Sequence, residues 1–439
     1  MKNALKTISL ALLVCAGCSK KSTARAPDAA ARVKPDMASA RPKTQPKPKP
    51  QPKPKTAKLA GRDFIREAKA LMKLAACAGD GELPPKVRQA TWKRHCARIK
   101  RRMQQYRDNY IKHMKPFLAK LQPAGLPDVV VYPFGGGDLL SALLTYPDAR
   151  EITSLSLEQV GDPRRVLAIT NKMADDTLKI LRETIDGLLA LDDSTSVNLM
   201  KMQRGAIPGQ LAFFLVALAV HGYEPLSLRY FELGEDGAVR YVDDARITEL
   251  DGKRSRQLSG GWTRPDFSPA FRYGELRFRR AGAPDAKVQV HRHLGANLSN
   301  GVLGKSGFNA QSPVTRHLER KGKIKAMTKA ATYLLWRPGF SNVRDYLIKH
   351  AVFMISDSTG LSPLHARRAG FRYRTFGRFD GAFFKNRAKN KHSMALVGVY
   401  KRQPRRSVPM RFGYPDVDGH PHMMVVYKKG IAAAKGASK

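Results

Sequence analysis

The sequence predicts an α/β fold: a mixed sheet with at least one parallel βαβ unit, plus a helical N-terminal subdomain. Three features lead there. Between Asp128 and Glu158, a β-branched run (DVVVYPF) precedes three glycines, an apolar stretch opening at Asp138, and a second β-rich run, REITSLSLE. Strand, turn, helix and strand in that order imply a crossover and hence a parallel pair. Residues 61 to 122 place Phe64, Ala68, Leu71 and Leu74 at helical spacing, and a second helical run extends from Lys86 to Leu121, where Pro123 and Gly125 stop it. Beyond residue 222, short β-rich runs alternate with turn residues, the habit of antiparallel strands.

The remaining elements follow in order. Helical material continues through Leu191, and LAFFLVALAVHG after RGAIPG reads as a buried helix. LSLRYFEL, AVRYV, RITEL, ELRFRR and KVQVHRHL are predicted as antiparallel additions to the sheet. An amphipathic helix is expected near 320 to 335, carrying Tyr333, Leu334, Leu335 and Trp336 and stopped by Pro338-Gly339. A further helix from Asn342 to His350 leads into the apolar strand AVFMIS. FRYRTFGRF and MALVGVYKR are expected as strands, and GYPDVDGHPH as a loop.

The first eighteen residues, MKNALKTISLALLVCAGC, place Lys2 and Lys6 before a short apolar run and then small residues before a cysteine. That is the layout of a secretion signal. Crossing the hydrocarbon core takes about 20 apolar residues, roughly twice this run, so removal is expected rather than retention as a span. Ala16, Gly17 and Cys18 resemble the lipobox of bacterial lipoproteins, although Cys15 replaces its usual aliphatic residue. The resemblance implies acylation of Cys18 and a membrane anchor. Ser19, where aspartate marks retention at the inner membrane, favours the outer one, with the protein facing the periplasm.

Residues 19 to 58 contain eight prolines, and twelve Lys or Arg against Asp28 and Asp36. Such a composition buries too little apolar surface to offset its ordering entropy and is expected to form an extended stalk. The expected organisation is therefore a leader (1–18), a stalk (19–58), a helical part (59–125) integrated with an α/β body (126–429), and a tail (430–439). The chain is 42% hydrophobic, enough for a substantial core.

The chain carries +43; removing the stalk's +10 and the +2 of Lys2 and Lys6 leaves about +31 on the body. A body this basic attracts polyanions. The envelope address points to anionic lipid, lipopolysaccharide or peptidoglycan and argues against nucleic acid. Of the four cysteines, Cys77 and Cys96 fall in the body, and an even pair in an oxidising compartment is expected as a disulfide across the turn GDGELPP.

Two blocks carry candidate ligand chemistry. Gly135, Gly136 and Gly137 after a strand, with Glu158 at the end of the next, imitate the half-Rossmann arrangement that seats a phosphate or nucleoside. The spacing is not G-x-G-x-x-G, and Asp138 at the helix start is expected to cap the amides a phosphate would need. Asp357, Ser358 and Thr359 follow an apolar strand, as a ligand turn or as a polar turn that caps its own amides. His291 and His293 share a strand face and His420 and His422 repeat the spacing, but two histidines fall short of a metal set. No metal or cofactor is expected. G-x-S-x-G, H-E-x-x-H and P-loop motifs do not occur.

The same blocks resemble a family of uncharacterised exported bacterial proteins marked by Y-P-F-S-G-P-D-F, a strand ending L-E-P-V-G, and Q-D-D-S-G-I-P. The corresponding stretches here are Tyr132 to Leu139, Leu157 to Gly161, and Ser356 to Leu361, with RGAIPG and KAATYLLW also in keeping. The resemblance covers about residues 60 to 415 and implies one integrated domain without assigning an activity. Gly136 and Ser358 depart from the pattern, and Ser358 removes a second carboxylate. The expected function is an envelope lipoprotein whose basic body binds an anionic component. The alternative is an enzyme with a methyltransferase-like fold and a pocket between the Gly135–Asp138 and Asp357–Gly360 turns.

Overall fold

The computed structural model describes residues 61–190, 207–253, 258–259, 262–263, 268–301, 307–381, 390–413 and 419–431. Cys18 and its leader, the Pro/Lys-rich stretch and the tail from residue 432 lie outside the described residues. The strands are β1 (Val129–Pro133), β2 (Glu151–Ser156), β3 (Tyr223–Leu233), β4 (Val239–Tyr241), β5 (Tyr273–Arg280), β6 (Gln289–Gly295), β7 (Ile324–Thr328), β8 (Ala351–Ser356), β9 (Phe371–Gly377) and β10 (His422–Lys428). They form one mixed sheet in the order β9-β10-β8-β7-β1-β2-β6-β5-β3-β4. The five central strands, β8 to β6 in that order, pair in parallel, and antiparallel strands extend both ends. A two-residue hairpin, Leu258–Ser259 with Trp262–Thr263, stands apart from the sheet.

The helices are α1 (Ile65–Ala76), α2 (Gln89–Tyr106), α3 (Lys112–Leu121), α4 (Leu139–Thr145), α5 (Asn171–Ala190), α6 (Gly209–His221), α7 (Asp244–Asp251), α8 (Pro313–Glu319), α9 (Ser341–His350), α10 (Pro363–Ala366) and α11 (Lys391–Lys401). Every residue of β1, β2, β7 and β8 is buried, so both faces of the central sheet need cover. On one face, Val130, Ile152 and Phe353 join a core with α1, α4, α5 and α6. On the other, Val131, Leu155 and Met354 pack with α8, α9 and α11. Helix α6 is apolar all round and buried from Gln210 to Val220, as a central helix must be. Helices α1 to α3 belong to the same compact unit as the sheet and do not stand apart as a subdomain. A Cys77–Cys96 disulfide, with Cα atoms 5.5 Å apart, ties the end of α1 to α2. Closing a loop of that size stabilises by roughly 3 kcal/mol. No described helix is long and apolar enough to cross a membrane.

The structure corrects several sequence expectations. RITEL lies in helix α7 rather than a strand. The Asp243 carboxylate accepts from the Arg246 amide to start the helix, and Ile247 and Leu250 alone of its residues are buried. The helix expected near 320 to 335 is instead strand β7 followed by 3₁₀ turns over Ala330–Trp336. Lys325 breaks the apolar run of β7, yet the residue is buried, its ammonium 4.9 Å from the ring centroid of Tyr146. MALVGVYKR forms most of α11, started by Asn390, whose side chain accepts from the His392 amide. KVQVHRHL pairs antiparallel with β5 but parallel with β2. The loop containing His420 and His422 runs straight into β10, which begins at His422; residues 414–418 of that loop lie outside the described residues.

Candidate functional site

The chain leaves β1 toward β2 on one side and comes back through β7 on the other, so the topological switch falls between β1 and β7. In open α/β sheets, ligands gather outside the strand ends at that point. Both candidate turns lie there. Gly135 donates to the Leu155 carbonyl, and a Cβ on Gly135 would come within 2.8 Å of the Tyr132 ring, so the turn tolerates no side chain at that position. Phe134 adopts φ 60°, a strained value for a bulky residue. Asp138 caps α4 by accepting from the Ser141 amide at 3.1 Å, which occupies the helix terminus a phosphate would use.

Two adjacent residues at the end of β7 join the turns. The Thr328 carbonyl accepts from the Asp357 amide at 3.1 Å, and Lys329 reaches the other way to Asp138 Oδ2 at 2.9 Å and Ser141 Oγ at 2.8 Å. Tyr132 also donates to Asp138 Oδ2, at 3.0 Å. Asp357 accepts from the Thr359 amide at 2.9 Å, and Ser358 donates its amide to His422 Nδ1 at 3.2 Å. Asp357, Ser358 and Thr359 are at most 2% exposed. The polar groups of both turns are therefore largely spent on their own amides and on Tyr132, Thr328, Lys329 and His422. Lys329 was not legible in the sequence because its segment reads as helix. Treating IKAMT as a buried strand would have placed Lys329 at a strand end.

Glu158 lies apart from this pair and enters a second buried cluster on the α6 face of the sheet. Its carbonyl accepts from His293 Nε2 at 2.9 Å. A carbonyl only accepts, so Nε2 carries the proton and Nδ1 accepts from Ser154 Oγ at 2.8 Å. Ser154 in turn accepts from His291 Nε2 at 2.9 Å. The result is a one-way hydrogen-bond chain from His291 through Ser154 and His293 to the backbone at Glu158. His420 and His422 are not part of it. Among the described residues no group of three or more His, Cys, Asp or Glu is placed to hold a metal ion.

At the opposite edge, where β1 and β2 begin, a cavity of about 360 Å³ is lined by Arg150, Glu151, Arg292, His317, Arg320, Lys321 and the Gly237–Val239 turn. Its floor is an ion ladder across three strands. Arg292 reaches Glu151 at 2.8 Å and Glu275 at 2.7 Å, Arg277 holds Glu275 at 2.8 Å, and Lys321 closes on Glu151. Burial alone would raise the Glu151 carboxyl, but Lys321 and Arg292 outweigh it and hold the group at about 2. At the rim, Arg150 meets Asp128 at 3.1 Å and Arg320 meets Asp236 at 3.4 Å, with the arginine side chains 51% and 59% exposed. None of these residues stood out in the sequence, because they come from α8, β2, β5, β6 and four turns. A second cavity of about 220 Å³ is lined by Arg107, Lys112, Lys115 and Arg280. There, Arg107 and Arg280 donate to the last carbonyls of α6, which absorbs their charge locally.

No protein-family model, curated protein or solved structure matches the chain.

The buried imidazoles impose a pH limit on this architecture. Burial pushes His95, His221, His293 and His317 down to about 4, and His291 well below its ordinary value. An unfolded histidine takes up its proton near 6.5. Between about pH 6.5 and 4 the unfolded state therefore binds protons that the native state refuses, and stability falls as pH falls, by up to about 1.4 kcal/mol per pH unit for each histidine. Urea midpoints at pH 7.5 and pH 5 are expected to differ strongly; matching midpoints would contradict the neutral, buried state of these rings.

Proposed function

We propose that the protein is a lipid-anchored envelope protein, tethered through Cys18, whose body binds an anionic ligand in the cavity at the start of β1 and β2. The observation that carries this reading is the lining: four cationic side chains, Arg150, Arg292, Arg320 and Lys321, with Glu151 as the one carboxylate among the lining residues and Asp128 and Asp236 as exposed partners at the rim. The ladder beneath holds three cations, Arg277, Arg292 and Lys321, for two carboxylates, Glu151 and Glu275, so it carries positive charge beyond its own neutralisation. Partly shielded from water, each such cation attracts an oxyanion by more than an exposed one does. A lipid A phosphate or the acidic groups of envelope glycans supply ligands of that kind, which agrees with the sequence expectation for anionic envelope components.

Calorimetric titration of the full chain in detergent with inorganic phosphate, at about 0.15 M salt where surface charge is screened beyond roughly 8 Å, tests the site. The double variant Arg150→Ala/Arg320→Ala is expected to bind about tenfold or more weakly, a loss of about 1.4 kcal/mol or more. Lys100→Ala/Arg101→Ala, on the exposed face of α2, is expected to leave binding unchanged. Equal losses from both pairs would point to diffuse charge and remove the cavity from the account. The anchor has its own test: mass spectrometry of the mature protein is expected to find acylated Cys18 as its first residue, and an unmodified Cys18 or a retained leader rules the tether out.

A second reading, an enzyme at the switch point, draws on the joining of the two turns through Thr328 and Lys329. Functional sites hold charge at a cost to stability, so under this reading Lys329→Met costs less than about 1 kcal/mol. If the pair is structural, Lys329→Met strands Asp138 in a buried site and costs about 3–5 kcal/mol, much of it recovered by adding Asp138→Asn. Urea unfolding of the single and double variants separates the two, and a large, rescued loss rejects the enzyme.

A further inference from the structure

The basic cavity also contains acceptors. Glu151 offers an ionised carboxylate, and His317, on α8, contributes an imidazole. His317 Nδ1 donates to the Gly237 carbonyl at 3.0 Å, so it carries the proton and Nε2 carries the lone pair. Nε2 is buried and has no hydrogen-bond partner among the described residues. Leaving such an acceptor without a donor costs stability. The backbone holds the ring in place. Gly237 adopts φ +78°, and a Cβ there would stand 2.3 Å from the His317 amide, so the β3–β4 turn packs directly on α8. Burial, then Lys321 and Arg292, keep the imidazole neutral at physiological pH, so Nε2 accepts and does not donate.

A cavity built for a fully deprotonated anion gains nothing from acceptors, whose lone pairs repel it. We infer that this cavity selects an oxyanion that itself carries an O–H donor, the anionic oxygens facing Arg292, Arg320 and Lys321 and the hydroxyl facing His317 Nε2. Monohydrogen phosphate has this chemistry, as do anionic sugars that keep free hydroxyls. Sulfate and plain carboxylates lack the donor. The inference rests on the anion site proposed above and names what that site distinguishes.

The experiment is competitive calorimetry at neutral pH on the full chain in detergent, with four probes: inorganic phosphate, sulfate, glucuronate and cyclohexanecarboxylate. A site that hydrogen-bonds a ligand O–H rejects the analogue without it. Phosphate is expected to bind at least about tenfold more tightly than sulfate, or glucuronate than cyclohexanecarboxylate; the pair that shows the preference distinguishes free phosphate from a sugar acid as the source. His317→Phe is expected to erase the preference by weakening the hydroxylated probe alone. His317→Asn, whose amide can still donate to Gly237 while the Nε2 acceptor is gone, carries the same expectation should the Phe variant fail to fold. A preference that survives either folded variant, or equal and measurable binding within both pairs, overturns the inference and leaves the anion site standing. Absence of binding by all four probes overturns the anion site itself.

Discussion

The fold depends on the burial of β1 on both faces. Its five residues are all buried, and it pairs in parallel with β2 on one side and β7 on the other. A strand so placed cannot face water, so helices must cover both sides, and the chain must leave and re-enter the centre of the sheet by long crossovers. That requirement gathers the start of the body, through α4, and the distant segment around residue 325 onto one strand. It also gives the sheet two chemically distinct edges, one at the carboxyl ends of the central strands and one at their amino ends.

The two edges use charge in opposite ways. At the carboxyl edge, Lys329 is matched to one carboxylate, Asp138; the carboxylate is buried and the lysine half-buried. Matched and dehydrated, they hold the turns together and leave little field for a ligand. At the amino edge, cations outnumber carboxylates around an open cavity, and the carboxylates are held by partners on neighbouring strands. A pair that neutralises itself is a strut. An unbalanced set beside open volume draws a counter-ion, and its donors and acceptors together define which one.

The histidine chain on the other face of β2 shows how closely the two chemistries are separated. Thr153 lies toward the ion ladder, where its hydroxyl donates to Glu151 at 3.2 Å, while Ser154, the next residue, points to the opposite face and bridges His291 and His293. Alternation along one strand thus keeps a charged network and a neutral one a single sheet thickness apart. Both depend on the parallel register of β2 with β6, which sets Thr153 beside Arg292 and Ser154 beside His293.

Local signals in the sequence were enough for the β1–α4–β2 unit, because a β-branched run, three glycines and an Asp cap act over a few residues. The same holds for α6, whose unbroken apolar run demands burial, and for the helices around Cys77 and Cys96. Strands β7 and β10 were not legible, since five to seven mostly apolar residues satisfy a helix or a strand equally, and Lys325 in β7 is buried only because Tyr146 lies against it. Helices α7 and α11 were hidden by β-branched residues whose preference the caps at Asp243 and Asn390 override. The composition alone established that the chain is strongly basic. Only the tertiary structure decided which cations share a cavity, because Arg150 meets Arg292 through strand pairing between segments more than a hundred residues apart, Lys321 joins them from the turn before β7, and no local pattern records that.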